Sequence, residues 1–161
     1  IINNALFICI FNISISIMNN IKLQDLKFGF NNEKIILQLL QSIDKFKDIK
    51  KTENKYDTFD FYNDNVYIEL KSRRIHYGQY PDIMISKNKI DKGLEHTKNG
   101  KEVFILWKCL NGTFGWKVNE EEFSQLRVGS GGTTRRGCDE TADCYFVKND
   151  LIKPFADLLI V

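Results

Sequence analysis

The chain has few of the residue arrangements that announce a function by themselves. Its four cysteines, Cys9, Cys109, Cys138 and Cys144, form no Cys-x-x-Cys pair. The two histidines, His76 and His96, are not spaced with them as zinc ligands, which excludes the common zinc modules. Charge of one sign is also missing. Lys and Arg number 23 against 21 Asp and Glu, a net charge of +2, so this is not a globally basic protein that coats nucleic acid. Residues 128–137 are rich in glycine but hold neither Gly-x-Gly-x-x-Gly nor Gly-Lys-Ser/Thr, which excludes the familiar nucleotide loops. No internal repeat is visible.

Residues 1–17 carry no charge and are rich in Ile, Asn, Phe and Ser. They lack a basic leading segment and a small-residue cleavage site, so they do not read as a secretory signal. Asn3, Asn4 and Asn12 interrupt them, and they are short for a membrane span. We read residues 1–18 as an N-terminal extension outside the working protein, and 19–161 as its single domain. A degenerate anchor and an N-terminal strand are the alternatives for the extension. With 161 residues and 43% hydrophobic content, one domain with a real core is expected.

What is present begins at Phe59-Asp60-Phe61-Tyr62-Asn63-Asp64-Asn65-Val66-Tyr67-Ile68-Glu69-Leu70-Lys71. Asn63-Asp64-Asn65 has turn chemistry between two strand-like runs, so a β-hairpin is predicted. Side chains two apart on a strand share a face, which projects Glu69 and Lys71 together. A two-residue turn puts Asp60 on that same face. A three-residue turn or a bulge hands the place to Asp57 instead; Asp60 is preferred. Two carboxylates and an ammonium in one place suit metal-assisted hydrolysis of a phosphodiester. Hard oxygen ligands hold Mg²⁺ or Mn²⁺ with open positions. The cation activates water, and a lysine steadies the charge that builds up. The plainer reading of a Glu-x-Lys triplet is a solvated strand face.

Upstream, Asn31 or Asn32 reads as an N-cap, with apolar positions 36, 39, 40 and 43 at helical spacing. Glu33 then falls in the first turn of a helix, where its plainer role is to complement the helix dipole. Downstream, Pro81-Asp82 reads as a helix entry capped by Asp82, with residues 83–97 helical and Asn99-Gly100 the stop. The run 103–109 reads as a buried central strand, with Cys109 as a small hydrophobe inside it. Residues 113–118 return antiparallel after Asn111-Gly112. Residues 145–147 read as a late strand and 128–137 as a surface loop.

The order helix with Glu33, hairpin with Asp60 and Glu69-x-Lys71, lysine-bearing helix, strand resembles the PD-(D/E)XK nuclease superfamily. It is similar in particular to small phage and giant-virus nucleases. The resemblance rests on Asp60-Phe61, Glu69-Leu70-Lys71-Ser72-Arg73 and Tyr80-Pro81-Asp82-Ile83-Met84-Ile85-Ser86-Lys87-Asn88-Lys89, and spans residues 27–155. The superfamily's Pro-Asp is absent from the first strand.

The resemblance implies an α/β fold, a restriction-endonuclease-like core with a mixed central β-sheet flanked by α-helices. It also implies an Mg²⁺-dependent endonuclease, with Mn²⁺ as a substitute. Asp60 and Glu69 would be the metal ligands, Lys71 the catalytic lysine and Glu33 an accessory acid. DNA would be the substrate. Arg73, Lys87 and Lys89, with Arg136 on a flexible finger, would grip its backbone. An intracellular location follows, with no membrane association and no disulfide between Cys138 and Cys144. Relatives that cut both strands act as dimers, so a homodimer is an open expectation. The competing readings are a non-catalytic nucleic-acid-binding domain of the same fold and an interaction protein with a charged hairpin.

Overall fold

A single helix, α1 (Asn4–Gln41), opens the chain. The computed structural model describes residues 4–54, 57–132 and 141–159. The helix passes Met18 without a break and corrects the expected start at Asn31 or Asn32. Neither asparagine is a cap. The Asn32 side chain is buried in mid-helix and donates to Ser72 Oγ at 3.0 Å. A polar residue that would otherwise favour a helix end is thus satisfied by a distant partner. Gly29 has open space around it, and a glycine inside a helix costs only about 1 kcal/mol. Glu33 therefore sits well inside α1, away from its positive end.

After a three-ten turn at Asp44–Phe46, the strands β1 (Lys50–Lys51), β2 (Phe61–Tyr62) and β3 (Val66–Ser72) follow. Next come β4 (Asp82–Ser86), α2 (Lys87–Lys98), β5 (Glu102–Cys109) and β6 (Gly112–Lys117). A short helix α3 (Glu120–Phe123), β7 (Arg127–Gly131), β8 (Ala142–Lys148) and β9 (Lys153–Pro154) complete the order. Six strands form a sheet in the order β1-β2-β3-β5-β6-β9, and three form a second sheet, β4-β8-β7. The larger sheet is mixed, because β3 and β5 are parallel and their neighbours antiparallel.

β5 is apolar and buried from Val103 to Trp107, where both its faces are covered. Phe104 and Leu106 join Ile68 and Leu70 of β3 on the face that α1 covers with Ile36 and Leu40. Val103, Ile105 and Trp107 point the other way, under Ile90 and Leu94 of α2 and under Ile83, Ile85, Tyr145 and Val147 of the smaller sheet. The layers are helix, mixed sheet, then helix with a second sheet. The central strand and its antiparallel return are where the sequence put them.

Two segments differ from expectation. Residues 83–86 are strand, not helix. Ile83 and Ile85 are buried and Met84 only partly so, which is a period of two, and α2 starts at Lys87 with Ser86 as its N-cap. Residues 127–131 are not a loop but β7, paired with β8 from Arg127↔Phe146 to Gly131↔Ala142. The glycines there serve packing. A Cβ on Gly131 would lie 2.7 Å from Met84 Sδ and 3.0 Å from Cys144 Sγ. Cys109 and Cys144 are free and buried. Cys138, Arg135 and Arg136 lie outside the described residues.

The tightest glycine supports the main sheet. A Cβ on Gly115 would stand 2.6 Å from Leu106 Cδ2, 2.8 Å from Leu158 Cδ1 and 3.1 Å from the Ile105 carbonyl. Gly115→Ala is expected to cost about 1–3 kcal/mol through overpacking. Urea unfolding would show this as a lower midpoint at unchanged slope. A wild-type midpoint would mean that the C-terminal turn yields freely.

Candidate active site

The hairpin joining β2 to β3 places the charged groups. Asn63 Oδ1 accepts from the backbone N–H of Asn65 at 2.9 Å and of Val66 at 2.8 Å, the local bonding that makes Asx residues turn formers. Asn63 N–H donates to the Val66 carbonyl at 3.0 Å, which leaves Asp64 and Asn65 as a two-residue loop. β2 pairs with β3 at Phe61↔Ile68 and Tyr62↔Tyr67. Asp60, just ahead of β2, donates its N–H to the Ile68 carbonyl at 3.0 Å, and its carboxylate lies near enough to Glu69 for the two charges to act on each other. Asp60 is fixed there, because its Oδ2 accepts from Leu70 N–H at 2.8 Å. The Asp57 N–H bonds the Asn54 carbonyl, and Asp57 is not among the groups that act on Asp60.

Glu69 is completely buried. Removing a carboxylate from water costs several kcal/mol unless opposite charge and hydrogen bonds replace it. Two ammonium groups flank it. Lys71 Nζ is 2.5 Å from Oε1, and Lys89 Nζ is 2.9 Å from Oε2. The Lys71 contact has close charges but not hydrogen-bond geometry, so Oε1 is a buried oxygen that accepts no hydrogen bond. Trp107 Nε1 is likewise buried without a partner, on the residue that pairs with Lys71 across β3 and β5.

Asp60 feels this environment. Burial foremost, and then the neighbouring Glu69 charge, push its carboxyl from 3.8 to about 6, against the Leu70 N–H and the two lysines. A bound cation would favour the ionised form of this acid and oppose both the burial and the Glu69 charge.

The donor set fits a hard divalent ion. Magnesium often takes one or two carboxylates and completes its shell with water and substrate phosphate. Asp60 and Glu69 supply that number, and Glu69 Oε1 is an oxygen with no competing hydrogen bond. Among the described residues, no group of three or more His, Cys, Asp or Glu comes together.

Glu33 in particular is not brought to the pair. Its carboxylate is 2.6 Å from Lys51 Nζ. It lines a neighbouring cleft of about 350 Å³ together with Leu70, Ser72, Arg73 and Arg74. Arg74 is held by Asp25 at 2.5 Å and lies over the Phe28 ring.

The other basic residues divide. Lys87 is at the surface and pairs with Asp91 at 2.6 Å; the hydrogen bond it donates to that carboxylate raises the pKa of its ammonium above the ordinary value. Arg73 reaches the Met84 carbonyl at 3.4 Å and so ties the end of β3 to β4. Lys89 turns inward to Glu69 and to the Thr58 carbonyl. Sequence reasoning missed that direction, although a signal existed. Lys89 is four residues before Gly93, which is buried with Ile90 and Leu94 on the inner face of α2, and residues four apart on a helix are neighbours.

Residues 29–155 match the family described as "Phage putative PDDEXK endonuclease". The chain belongs to this PD-(D/E)XK endonuclease family. The fold is also similar to a solved structure, the Holliday junction resolvase Hjc of Archaeoglobus fulgidus. The TM-score is 0.50 at 13% identity, with 81% of this chain and 94% of that one covered. The restriction-endonuclease-like core expected from the sequence is the fold observed. No curated protein matches the chain. No helix among the described residues is long and apolar enough to cross a membrane.

Proposed function

We propose that this PD-(D/E)XK family member is a divalent-metal-dependent endonuclease that hydrolyses DNA phosphodiesters inside the cell. The observation that carries the reading is the convergence of Asp60, Glu69 and Lys71 around a buried carboxylate oxygen that accepts no hydrogen bond.

Asp60 and Glu69 would hold Mg²⁺ or Mn²⁺. When bound, that ion lowers the pKa of water and neutralises charge on the phosphate. Lys71 places an ammonium beside the same carboxylate, where it orients the attacking water and stabilises the negative charge of the transition state. The protein around it keeps bulk water from Glu69 and so strengthens each of these interactions. Arg73, Arg74 and the surface Lys87 offer cations along the rim for the DNA backbone. Glu33, engaged by Lys51, is given no ligand role. The free buried thiols of Cys109 and Cys144 suit a reducing compartment.

The test is cleavage by the full chain of supercoiled plasmid, single strands and a four-way junction, with Mg²⁺, Mn²⁺ or EDTA. The junction is included because the resolvase of similar fold acts on one. The expected result is metal-dependent cleavage that falls on the order of 10²-fold in Lys71→Met. Binding without cleavage of any of these substrates would replace the reading with a non-catalytic binding domain.

A further inference from the structure

The geometry points to Lys89 as the positioning residue of this centre: its ammonium holds the far oxygen of Glu69 and the backbone just ahead of Asp60, so that both carboxylates face one cation. This rests on the metal-site reading above.

The Lys89 side chain is only 16% exposed, against 41% for Lys87 two residues earlier. Its Nζ donates to Glu69 Oε2 at 2.9 Å and to the Thr58 carbonyl. Thr58 is two residues before Asp60. One ammonium from α2 therefore ties the strand that carries one acid to the segment that carries the other. Lys71 pairs with Glu69 on its own strand. The base of Lys89 is itself fixed. α2 lies close to the sheet at Gly93, where a Cβ would be 3.3 Å from Val103 Cγ1, and Ile90 beside it is fully buried.

The two oxygens of Glu69 are then distinct. Oε2 is taken by Lys89. Oε1 has the Lys71 ammonium 2.5 Å away but accepts no hydrogen bond, and it is the oxygen assigned to a metal. An outer donor on the second oxygen fixes a carboxylate ligand's orientation, and losing such a donor typically costs about 10–100-fold in metal affinity or activity.

The sign of the effect separates this role from its rivals. If Lys89 were only a nearby charge, removing it would tighten cation binding, because like charges repel. If it gripped phosphate, metal affinity would stay constant while DNA affinity fell and its salt slope shrank by about 0.9.

The experiment compares wild type with Lys89→Met and Lys89→Gln, all as full chains. Mn²⁺ binding is measured by calorimetry without DNA, duplex binding in EDTA across a salt series, and cleavage as kcat and KM. Thermal unfolding is followed in parallel. Mn²⁺ affinity and kcat should each fall about 10–100-fold, with KM, the salt slope and cooperative unfolding retained. Mn²⁺ affinity that is unchanged or tighter overturns the assignment. So does loss of cooperative unfolding in both variants, which would make Lys89 a folding residue. If wild type binds Mn²⁺ but cuts no DNA, the nuclease reading fails while the titrations still decide on Lys89. If wild type binds no Mn²⁺, both fail.

Discussion

Glu69→Gln is expected to remove metal-dependent cleavage by at least about 10³-fold, more than one electrostatic donor is usually worth. That corresponds to roughly 4 kcal/mol of transition-state stabilisation. Glutamine keeps the shape of the side chain and loses its charge, so the proposed site of two hard anionic ligands would be left with one. Calorimetry should show Mn²⁺ binding lost along with activity.

The same substitution also acts on stability, for a separate reason. It leaves Lys71 and Lys89 facing a neutral amide. Their side chains are 29% and 16% exposed, so water compensates in part. The cost is on the order of 1–3 kcal/mol, less than for a fully buried pair that has lost one partner. The protein should therefore unfold at lower temperature yet remain folded at 25 °C, which circular dichroism would verify. A Glu69→Gln protein that cuts within tenfold of wild type would show that the buried carboxylate is structural.

How much of this could be read from the chain depended on how local each signal was. The hairpin was legible because its determinants lie within a few residues. Asn63 makes its own turn, a side-chain period of two gives the face that Glu69 and Lys71 share, and Asp60 lies just ahead of the paired strand. β5 was legible because a continuous apolar run has one good explanation, a strand covered on both sides.

The misreadings all involve partners distant in sequence. Asn32 looked like a helix start because the hydroxyl that satisfies it, on Ser72, is forty residues away. The glycine-rich run around Gly129 and Gly131 looked like a loop because only the fold shows what presses on those positions, namely Phe146, Met84 and Cys144. Residues 82–86 alternated as a strand should, but Pro81-Asp82 resembled a helix entry more strongly than five residues could resemble a strand. The direction of Lys89 was hidden for a related reason. A lysine on an amphipathic helix is usually solvent-facing, and nothing in the sequence near it reveals a buried acid on another element.

The acid near Glu69 should give an effect of reversed sign. In metal-free protein, Asp60 titrates near 6 in the folded state against 3.8 ordinarily. A raised folded value means that the fold favours the protonated acid. That contribution is fully present below about pH 3.8 and is lost as pH rises through about 6. With 1.36 kcal/mol per unit, holding Asp60 ionised at pH 8 costs the metal-free protein roughly 3 kcal/mol. Asp60→Asn mimics the protonated acid and can still accept from Leu70 N–H. In EDTA at pH 8 it should be more stable than wild type by about that amount, or by roughly 6–12 °C in Tm. Near pH 4 the two should nearly coincide. Mn²⁺ should then reverse the order at pH 8, because a ligand that binds only the folded state stabilises it by mass action and the asparagine site has lost a charged ligand. Cleavage should fall by at least about 10³-fold in the same variant. A residue that destabilised the empty protein and was required by the working one would have its cost explained by function, since such costs persist where activity needs them. Equal melting temperatures for wild type and Asp60→Asn across pH 4 to 8 in EDTA would remove the electrostatic basis for the metal site. Equal temperatures at pH 8 with Mn²⁺ would separately show that Asp60 does not bind the ion.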